Sequence, residues 1–558
     1  MTKKALLFML AAIAMLLPAH GAQDSIFVQL KDGTVLAYEF AENDTVSVDE
    51  TYINISDTTF YSGYVRRIVF DRSVLGRESS MQLMSFKLRH TDEGNEALLD
   101  KTFSADIDDL TNKDTISFII PYLTNYKLKP FFMASSHKVK VYANDELITS
   151  EESVVDFTNP VTIRLEYGDA APREYVVCLK NSGLPIVVID TPNGQAITSK
   201  STWLERSSMT IYRPDGGIDY SSGTDYMNIS GRGNSTWSYS KKPYNIKLNV
   251  KKAILGMPKH KRWCLLANYI DRTLIRNAVA FELAKMTSMD WTPNGRFVEL
   301  VVNGKALGNY YLCEAIRIDN DRVNINEMGP NDISGEAITG GYLMELDSYY
   351  DADWKFKTSY FKMPINMKEP DDDVINSYQF SYIKSYCNEA EKRLYNGSYN
   401  DFAEYFDMNT LVDWYILNEV IYNPEPKHPK SSYMHKDKNG KLRMGPAWDH
   451  DWETFTPHNS LVNKNAMWFG KLCTLPEFVK LLKERWNKLK KPFASVARFI
   501  EDTREEIRLS WQFNNSVWPT ISNGVNGDVS LPYDQAVDRL KNSLQNRINS
   551  LDVIINSL

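Results

Sequence analysis

The sequence predicts a multidomain protein in which N-terminal all-β modules precede one large α+β domain. A chain of 558 residues is longer than a single hydrophobic core usually supports. Residues 22–182 consist of short alternating segments with regularly spaced turn signals, whereas strand-like and helix-like segments alternate in residues 183–558. The main domain boundary is therefore predicted between residues 182 and 183.

Composition and charge narrow the functional class. The chain is 43% hydrophobic and 12% aromatic, which is typical of a globular protein. Its formal net charge is −7, so nothing in its electrostatics favours a nucleic-acid partner.

The first 21 residues have the pattern of a signal peptide. Lys3 and Lys4 form a positive start, residues 5–17 are apolar, and a small-x-small cleavage site ends at Gly21. An uncleaved membrane anchor is the alternative, but the apolar run is shorter than the roughly 20 residues that a bilayer requires. No later run is long and apolar enough for a transmembrane span. We therefore predict export to the periplasm, the cell surface or the medium.

Two β modules are predicted before residue 183. In residues 22–80 apolar and polar residues alternate on both sides of an Asp32-Gly33 turn, which predicts a small β module. Residues 81–182 contain further strand-like runs at regular spacing, a pattern typical of an immunoglobulin-like β-sandwich. We expect the sandwich to serve for presentation or as a spacer, and carbohydrate binding is the alternative.

The cysteines are few and widely spaced. An odd number in an exported chain argues against a complete disulfide framework, and the absence of a C-x-x-C spacing gives no zinc site. We expect them to be buried and inert. They are Cys178, Cys264, Cys313, Cys387 and Cys473.

A glycine-containing stretch, residues 230–237, is the first segment whose composition suggests chemistry. Its glycines permit close approach of the backbone to an anion, and its Ser, Thr and Asn residues add hydrogen-bond donors. A glycine-rich hairpin turn is the alternative. In the strand that follows, apolar residues share one face from Tyr244 to Val250, so Lys247 lies on the other face beside the glycine loop. A lysine in that place could neutralise phosphate charge.

Residues 271–286 have the apolar spacing of a helix, with Asp271 as its expected N-cap. Glu282 falls at the edge of the apolar stripe, and a buried carboxylate there needs a partner. Lys247 is the candidate partner, and a solvated position for Glu282 is the alternative. Amphipathic helices are also predicted from residue 475 onward.

Two hairpins are predicted by Asn-Gly turns, at Asn303-Gly304 and Asn439-Gly440. The second leads towards Asp449 and Asp451. If they lie on a strand, residues two apart point to the same side and the two carboxylates form a site for a hard cation such as Mg²⁺. An acidic loop with two solvated carboxylates is the alternative.

Several segments resemble, in the same order, those of the CotH (spore coat protein H) kinase-like family over residues 184 to the end. They are RGNSTW at 232–237, KPY at 242–244, LGMPKHKRW at 255–263, LANYIDRT at 266–273, RN at 276–277, GNYYLCE at 308–314, GYLMELD at 341–347 and WDHDW at 448–452. The resemblance implies a divergent protein-kinase-like fold. It also implies a secreted enzyme that uses ATP to phosphorylate Ser or Thr of extracytoplasmic proteins, and the upstream β modules resemble those of Bacteroidetes members.

The resemblance also implies roles for individual residues. Lys247 is similar to the strand lysine that pairs with phosphate, and Glu282 to its helix partner. Glu314 resembles the hinge residue that faces adenine. Asp449 resembles the first ligand of Mg²⁺ or Mn²⁺, with Asp451 as its helper. The expected nucleotide-binding residues are Arg232, Gly233, Asn234, Ser235, Lys242, Lys247, Glu282 and Glu314.

The catalytic loop departs from the family pattern. Glu425 lies where better-characterised members have an aspartate, and Lys430 lies where they have a metal-binding asparagine. Glutamate can still accept a hydroxyl proton, but its extra methylene moves the carboxylate by about 1 Å, and misplacement of that size can cost about 10²-fold in rate.

Two functions therefore remain open. The first is an exported atypical kinase with Glu425, Asp449 and Lys247 as catalytic residues. The second is a non-catalytic surface or scaffold protein with a degenerate kinase-like body. A glycosidase that uses two carboxylates is a further alternative, but beyond abundant acidic residues the sequence contains nothing that favours it.

Overall fold

The structure is a computed structural model that describes residues 24–31, 34–40, 46–48, 51–55, 58–69, 81–135, 138–168, 170–519 and 524–558. The chain folds into two compact units. The first holds the described residues up to Phe118 with Asn125–Leu179, and the second holds Ile119–Thr124 with Lys180–Leu558. The predicted signal peptide and the Asp32-Gly33 turn lie outside the described residues. The boundaries predicted after residues 80 and 182 stay predictions.

The N-terminal part consists of short strands and a short helix. Its elements are β1 (Asp24–Leu30), β2 (Val35–Phe40), β3 (Val46–Val48), β4 (Tyr52–Ile55), β5 (Thr58–Tyr61), β6 (Val65–Val69), β7 (Leu83–Leu88), β8 (Phe103–Ser104), α1 (Ile107–Asn112), β9 (Thr115–Ile119), β10 (Lys127–Leu128), β11 (Pro130–Ala134), β12 (Lys140–Ala143), β13 (Glu146–Leu147), β14 (Val155–Asp156), β15 (Val161–Glu166) and β16 (Arg173–Lys180). The strand orders are β2-β1-β6, β3-β4-β5, β11-β7-β8, β10-β14 and β13-β12-β15-β16-β9. The largely β character predicted for this part agrees with the structure.

Two sheets form the β part of the C-terminal unit. Their strands are β17 (Ile186–Asp190), β18 (Leu204–Tyr212), β19 (Ile218–Ser221), β20 (Met227–Gly231), β21 (Tyr244–Ile254), β22 (Met257–Leu266), β23 (Gly295–Val302), β24 (Lys305–Glu314), β25 (Tyr342–Leu346), β26 (Lys355–Lys357), β27 (Pro364–Glu369), β28 (Ser432–Lys436) and β29 (Leu442–Met444). The larger sheet has the order β17-β23-β24-β22-β21-β20-β18-β19, and β17 also pairs with β18. The smaller sheet has the order β26-β27-β25-β28-β29.

Helices dominate the end of the chain. They are α2 (Arg276–Ala284), α3 (Ser377–Asn396), α4 (Tyr399–Ala403), α5 (Met408–Val420), α6 (Phe469–Leu472), α7 (Pro476–Glu506), α8 (Arg508–Val517) and α9 (Tyr533–Ser557). This distribution confirms the α+β class. Within the described residues, no helix combines the length and the apolar character that crossing a membrane requires.

The larger sheet is buried on both faces, and one strand shows why. Successive side chains of β22 point to opposite sides, so Trp263 and Leu265 enter one core while Cys264 and Leu266 enter another. The first core lies within the sheet strands, and the second contains α2 and the C-terminal helices. A sheet covered in this way can place polar strand ends in a cleft without exposing its centre.

Both predicted Asn-Gly hairpins are confirmed. β23 and β24 pair in antiparallel fashion around Asn303 and Gly304, whose φ angles are 49° and 68°. β28 and β29 pair across the turn that contains Asn439, with φ of 55°. Positive φ at the turn is the conformation that Asn and Gly adopt most readily, so these turns follow from local chemistry.

The helix predicted over 271–286 is shorter than expected, and Asp271 is not its N-cap. Helix α2 begins at Arg276 with Ile275 at the cap position, because Leu274 has a φ of 63° that interrupts the helical backbone. Asp271 nevertheless accepts a hydrogen bond of 2.8 Å from the backbone N–H of Arg276. The aspartate therefore satisfies a helix N–H from outside the helix.

Candidate active site in a polar cleft

A cleft of about 420 Å³ opens in the C-terminal unit. Its walls come from the loop after β20, the ends of β22 and β25, the loop before β28 and the segment after β29. Charged residues of both signs line it. They are Lys200, Arg232, Lys241, Arg317, Glu345, Asp347, Asp351, Lys368, Glu425, Lys430, Asp449 and Asp451.

The glycine loop, which the sequence suggests as a place where the backbone approaches an anion, forms one wall of the cleft. Residues 231–236 all contribute to the lining. A Cβ at Gly231 would lie 2.3 Å from the Trp237 ring, so a larger residue does not fit there. Gly233 has a φ of 81°, a value that favours glycine. The loop is thus shaped by local packing, while Asn234 and Ser235 remain exposed towards possible ligands.

Arg232 supplies a cation on this wall. Its guanidinium carbon lies 4.9 Å from the centroid of the Trp448 ring, and its Nε has no hydrogen-bond partner within the described part of the chain. Burial opposes its charge, but the Cys264 and Cys313 thiols and the Asp449 carboxylate raise the pKa of Arg232 above its usual range. A permanently charged group with an unused N–H is therefore available to an anion in the cleft.

The two predicted metal-binding aspartates line the same cleft, but they do not lie on a strand. Strand β29 ends at Met444, and the next residues are Gly445, with a φ of 113°, and Pro446, which has no N–H to extend the ladder. Asp449 itself has a φ of 62°. The prediction that both side chains enter one site agrees with the structure, although the strand argument behind it is wrong.

Hydrogen bonds fix the backbone around these aspartates. The Ser431 hydroxyl donates to the Asp449 carboxylate at 3.2 Å, and the Asn526 amide donates to the Asp451 carbonyl at 2.9 Å. The intervening His450 donates its backbone N–H to Asn277 at 2.7 Å. Burial lowers the pKa of the His450 ring to about 3, so this histidine stays neutral and is not a lining residue.

Glu425 and Lys430 face the cleft from the loop after α5. The Glu425 N–H donates to the Asn423 side chain at 3.1 Å, and the Asn423 amide donates to Asn418 at 2.8 Å. The Asn463 amide donates to the Asn423 carbonyl at 2.9 Å. The loop is thus held by buried side-chain hydrogen bonds, so the position of the Glu425 carboxylate is set by the fold.

Three acids of the cleft, Glu425, Asp449 and Asp451, have a pKa above the ordinary value. Burial is the main cause for each of these three. The pKa of Glu425 is raised further by Asp449 and Asp451, and that of Asp451 by Asp449, whereas Lys430 lowers the pKa of Glu425 and Arg232 that of Asp449. Burial and mutual repulsion therefore both oppose full ionisation of Glu425, Asp449 and Asp451 when nothing is bound.

Glu345 and Asp347 also line the cleft, and no role is predicted for them from the sequence. Asp347 accepts the backbone N–H of Tyr349 at 2.7 Å, and burial raises its pKa to about 6. Glu345 lies 3.2 Å from the Lys368 amine. Both belong to residues 341–347, one of the segments that carry the family resemblance. That resemblance was the feature of the sequence from which a role for Glu345 and Asp347 could have been predicted.

Lys247 and Glu282 do not form the predicted pair. Lys247 lies opposite Asn228 and Arg262 in the larger sheet and is not among the lining residues, although Asn245 on the same strand face is. Glu282 lies 3.2 Å from the Lys285 amine instead. Residues three apart on a helix are neighbours, so the local partner is available without any tertiary contact.

Glu314 and Lys242 are also outside the lining. The Glu314 carboxylate is fully buried and accepts hydrogen bonds of 2.9 and 3.0 Å from the backbone and side chain of Asn294. Burial raises the pKa of Glu314, and the cleft wall is formed by the residues that follow it, 315–317. The Lys242 amine donates to the Trp237 carbonyl at 2.6 Å, so it supports the glycine loop from behind.

The residues present fit a hard divalent cation. Asp449 and Asp451 both line the cleft and offer carboxylate oxygens, which is the donor chemistry that Mg²⁺ or Mn²⁺ prefers. The described residues contain no group of three or more His, Cys, Asp and Glu side chains arranged to hold a metal ion. Two carboxylates supplemented by water and phosphate oxygens are a common arrangement for Mg²⁺.

The glycine loop, Arg232 and the acids Glu425, Asp449 and Asp451 all lie in the part of the chain that matches a known protein family. Residues 229–551 match the family model described as CotH kinase protein. The chain belongs to this family, so it is a kinase-like protein for which nucleotide use is implied. None of the curated proteins matches the chain.

Proposed function

We propose that the protein is an exported atypical kinase that transfers a phosphoryl group from ATP to a Ser or Thr hydroxyl of an extracytoplasmic protein. One observation supports this most directly. Arg232, Glu425, Asp449 and Asp451 line a single cleft. Phosphoryl transfer depends mainly on positioning and on neutralising charge, and this set contains a cation for phosphate, oxygen ligands for a metal and a carboxylate base.

Each wall has a distinct task in this proposal. The backbone N–H groups of residues 231–236 and the Arg232 guanidinium bind phosphate oxygens. Asp449 and Asp451 would hold Mg²⁺ or Mn²⁺, which supplies charge neutralisation for the phosphates when bound. Lys430 lowers the pKa of Glu425 and Asp449 and so keeps both acids closer to their ionised form.

Glu425 accepts the acceptor hydroxyl's proton in this proposal. The hydroxyl oxygen then forms a bond to the γ-phosphorus, the bond from that phosphorus to the bridging oxygen of the β-phosphate breaks, and ADP leaves. Burial and the charge of Asp449 raise the pKa of Glu425, so a general base here depends on compensation of the Asp449 charge.

A non-catalytic kinase-like scaffold is the second candidate, and a specific observation favours it. Lys430 lies 5.1 Å from the Tyr349 ring centroid and lines the cleft at the position where the resemblance implies a metal-binding asparagine. A cation there repels a divalent ion. Under this alternative the protein binds nucleotide weakly and transfers no phosphate.

An Asp449→Ala variant separates these two candidates. We expect the unchanged protein to bind ATP in the presence of Mg²⁺ or Mn²⁺, as measured by calorimetry, and to label a generic acceptor such as casein with phosphate from labelled ATP. Asp449→Ala should lose metal-dependent binding and labelling. Asp502→Ala, at a side chain 71% exposed on α7, is the matched control. Equal binding by Asp449→Ala and the unchanged protein would contradict the proposal.

Export is part of the proposal and has its own test. The full-length chain expressed in a bacterium should be recovered outside the cytoplasm, and N-terminal sequencing should begin at Ala22. Recovery of the intact N-terminus in the cytoplasm would contradict export without affecting the phosphoryl-transfer experiment.

A further inference from the structure

Two thiols of the C-terminal unit face each other across neighbouring strands. Cys264 of β22 and Cys313 of β24 are directly opposed in the antiparallel pairing, and both side chains belong to the same core. Directly opposed residues have Cα atoms about 4.5 or about 5.5 Å apart. Disulfides span Cα separations of about 4.4–6.8 Å, so these strands can carry one without moving apart or together.

The pair can be reached from the cleft. Cys264 is one of the lining residues, and its thiol lies 3.7 Å from the Asn245 side-chain oxygen, which also lines the cleft. Cys264 is 3% exposed, whereas Cys313, beside it on the neighbouring strand, is fully buried and does not line the cleft. An oxidant that enters the cleft therefore meets the Cys264 sulfur first and the Cys313 sulfur only through Cys264.

The two sulfurs have different surroundings, and the difference indicates which thiol attacks and which resolves. A hydrogen bond from the Cys313 thiol, followed by the charges of Arg232 and Arg322, lowers the pKa of Cys264. Burial raises the pKa of Cys313 well above its usual range. Because the thiolate is the nucleophile in thiol chemistry, Cys264 is suited to attack and Cys313 to resolve.

We propose that Cys264 and Cys313 are a redox-active dithiol on the floor of the cleft, which an external disulfide oxidises to a cross-strand disulfide. This inference goes beyond phosphoryl transfer and does not depend on it. It departs from the expectation, made from the sequence, that these cysteines are inert. An oxidising compartment outside the cytoplasm is where such a bond persists.

The exchange proceeds in two balanced steps. The Cys264 thiolate attacks one sulfur of the external disulfide and expels the other as a thiolate, which leaves a mixed disulfide on Cys264. Cys313 then loses its proton, attacks the Cys264 sulfur and expels the second external thiolate. One S–S bond forms as another breaks. Two electrons pass to the external disulfide, and the protons of the protein thiols end on the released thiols.

Peptide mapping of the full-length protein tests the proposal without any variant. The reduced protein is incubated with oxidised glutathione, its remaining thiols are alkylated in denaturant, and a non-reducing digest is analysed by mass spectrometry. Of the five free cysteines, two should escape alkylation and three should be labelled. The peptides of Cys264 and Cys313 should be joined with the loss of two hydrogens. Labelling of all five, or a bond that joins another pair, would overturn the proposal.

Alanine variants test the order of attack. In Cys313→Ala the glutathione adduct on Cys264 should accumulate, because no resolving thiol remains. In Cys264→Ala neither adduct nor disulfide should form at Cys313. Cys178→Ala, which alters a half-buried thiol of the N-terminal unit, is the matched control and should keep the Cys264–Cys313 bond. An adduct on Cys313 in place of Cys264 would contradict the assigned roles.

Discussion

The Arg232 guanidinium stacks on the indole of Trp448, with 4.9 Å between the guanidinium carbon and the ring centroid. Trp448 immediately precedes Asp449, so this contact joins the glycine loop after β20 to the acidic segment after β29. The contact between Arg232 and Trp448 therefore helps to set the position of Arg232 relative to Asp449. A cation–π pair of this kind contributes about 0.5–2 kcal/mol of stability.

Replacing Arg232 should weaken anion binding. Arg232→Gln removes the charge and the unused Nε donor, and a hydrogen bond to a charged group contributes about 1.5–3 kcal/mol. We expect the Kd for ATP with Mg²⁺, measured by calorimetry, to rise about tenfold to hundredfold. Lys252→Gln, at an exposed position on β21, is the matched control. An unchanged Kd for Arg232→Gln would show that this arginine does not contribute to nucleotide binding.

Replacing Glu425 should affect transfer more than binding. Glu425→Gln keeps the shape of the side chain but cannot accept a proton, and a general base contributes about 10²–10⁴-fold to rate. We expect kcat for phosphate transfer to fall by about that factor in a labelled-ATP assay. The calorimetric Kd for ATP should change much less. A matching fall in binding would show instead that Glu425 acts as a ligand of the metal or the nucleotide.

Lys247→Gln should have little effect on nucleotide binding. The structure places Lys247 outside the cleft lining, whereas the resemblance implies that it pairs with phosphate. We expect the Kd for ATP to stay within about twofold of the unchanged protein, well below the change for Arg232→Gln. A loss as large as that of Arg232→Gln would mean that Lys247 reaches the phosphates when nucleotide binds.

Arg547→Met should destabilise the protein strongly. Arg547 is buried, donates to the Glu419 carboxylate at 2.7 Å and to the Ser460 carbonyl at 2.7 Å, and anchors the end of α5 to α9. Removing one partner of a buried pair leaves an uncompensated charge, at a cost of about 3–5 kcal/mol. Urea unfolding should show this loss in the free energy of unfolding. Arg498→Met, at a side chain 90% exposed, should change it by less than about 1 kcal/mol.

Glu299→Gln should remove a pH dependence of stability. Burial raises the pKa of Glu299 to about 7 from an ordinary value of 4.5, so the folded state holds its proton more tightly than the unfolded state. The contribution of this bound proton to the free energy of unfolding is fully present below pH 4.5 and is lost as pH rises through about 7. The total is on the order of 3 kcal/mol, at about 1.36 kcal/mol for each pKa unit.

Urea unfolding across that window provides the measurement. The unchanged protein should lose stability relative to Glu299→Gln as pH rises from about 4.5 to about 7. The neighbouring Lys241, whose pKa burial lowers to about 7, begins to lose its charge at the upper end of this window, so the comparison is clearest below pH 7. Parallel stability curves for the two proteins would contradict the expected proton uptake by Glu299.

Local features of the structure follow from the sequence. The hairpin at Asn303 forms because the turn needs positive φ, and the alternation that places Tyr244 in the core and Lys247 on the opposite face of β21 is a property of any strand. The presence of Asp449 and Glu425 in one cleft also agrees with the sequence prediction, which came from the order of short segments.

The partners of individual charges could not be predicted in the same way. Glu282 was expected to pair with Lys247, but it lies 3.2 Å from the amine of its helical neighbour Lys285. Asp271 was expected to cap a helix that begins only at Arg276. In both cases one backbone detail, a helical spacing or a positive φ, decides between partners that look equally suitable in sequence.

The sequence by itself determined the α+β class of the C-terminal unit, its turns, the faces of its strands and its family. Those features depend on chemistry within a few residues, or on the order of segments. Only the tertiary structure decided that Arg232 rather than Lys247 lines the cleft, that Asp347 joins the acids and that Cys264 meets Cys313. These contacts join segments far apart in the chain, and burial and strand pairing bring them together regardless of local pattern.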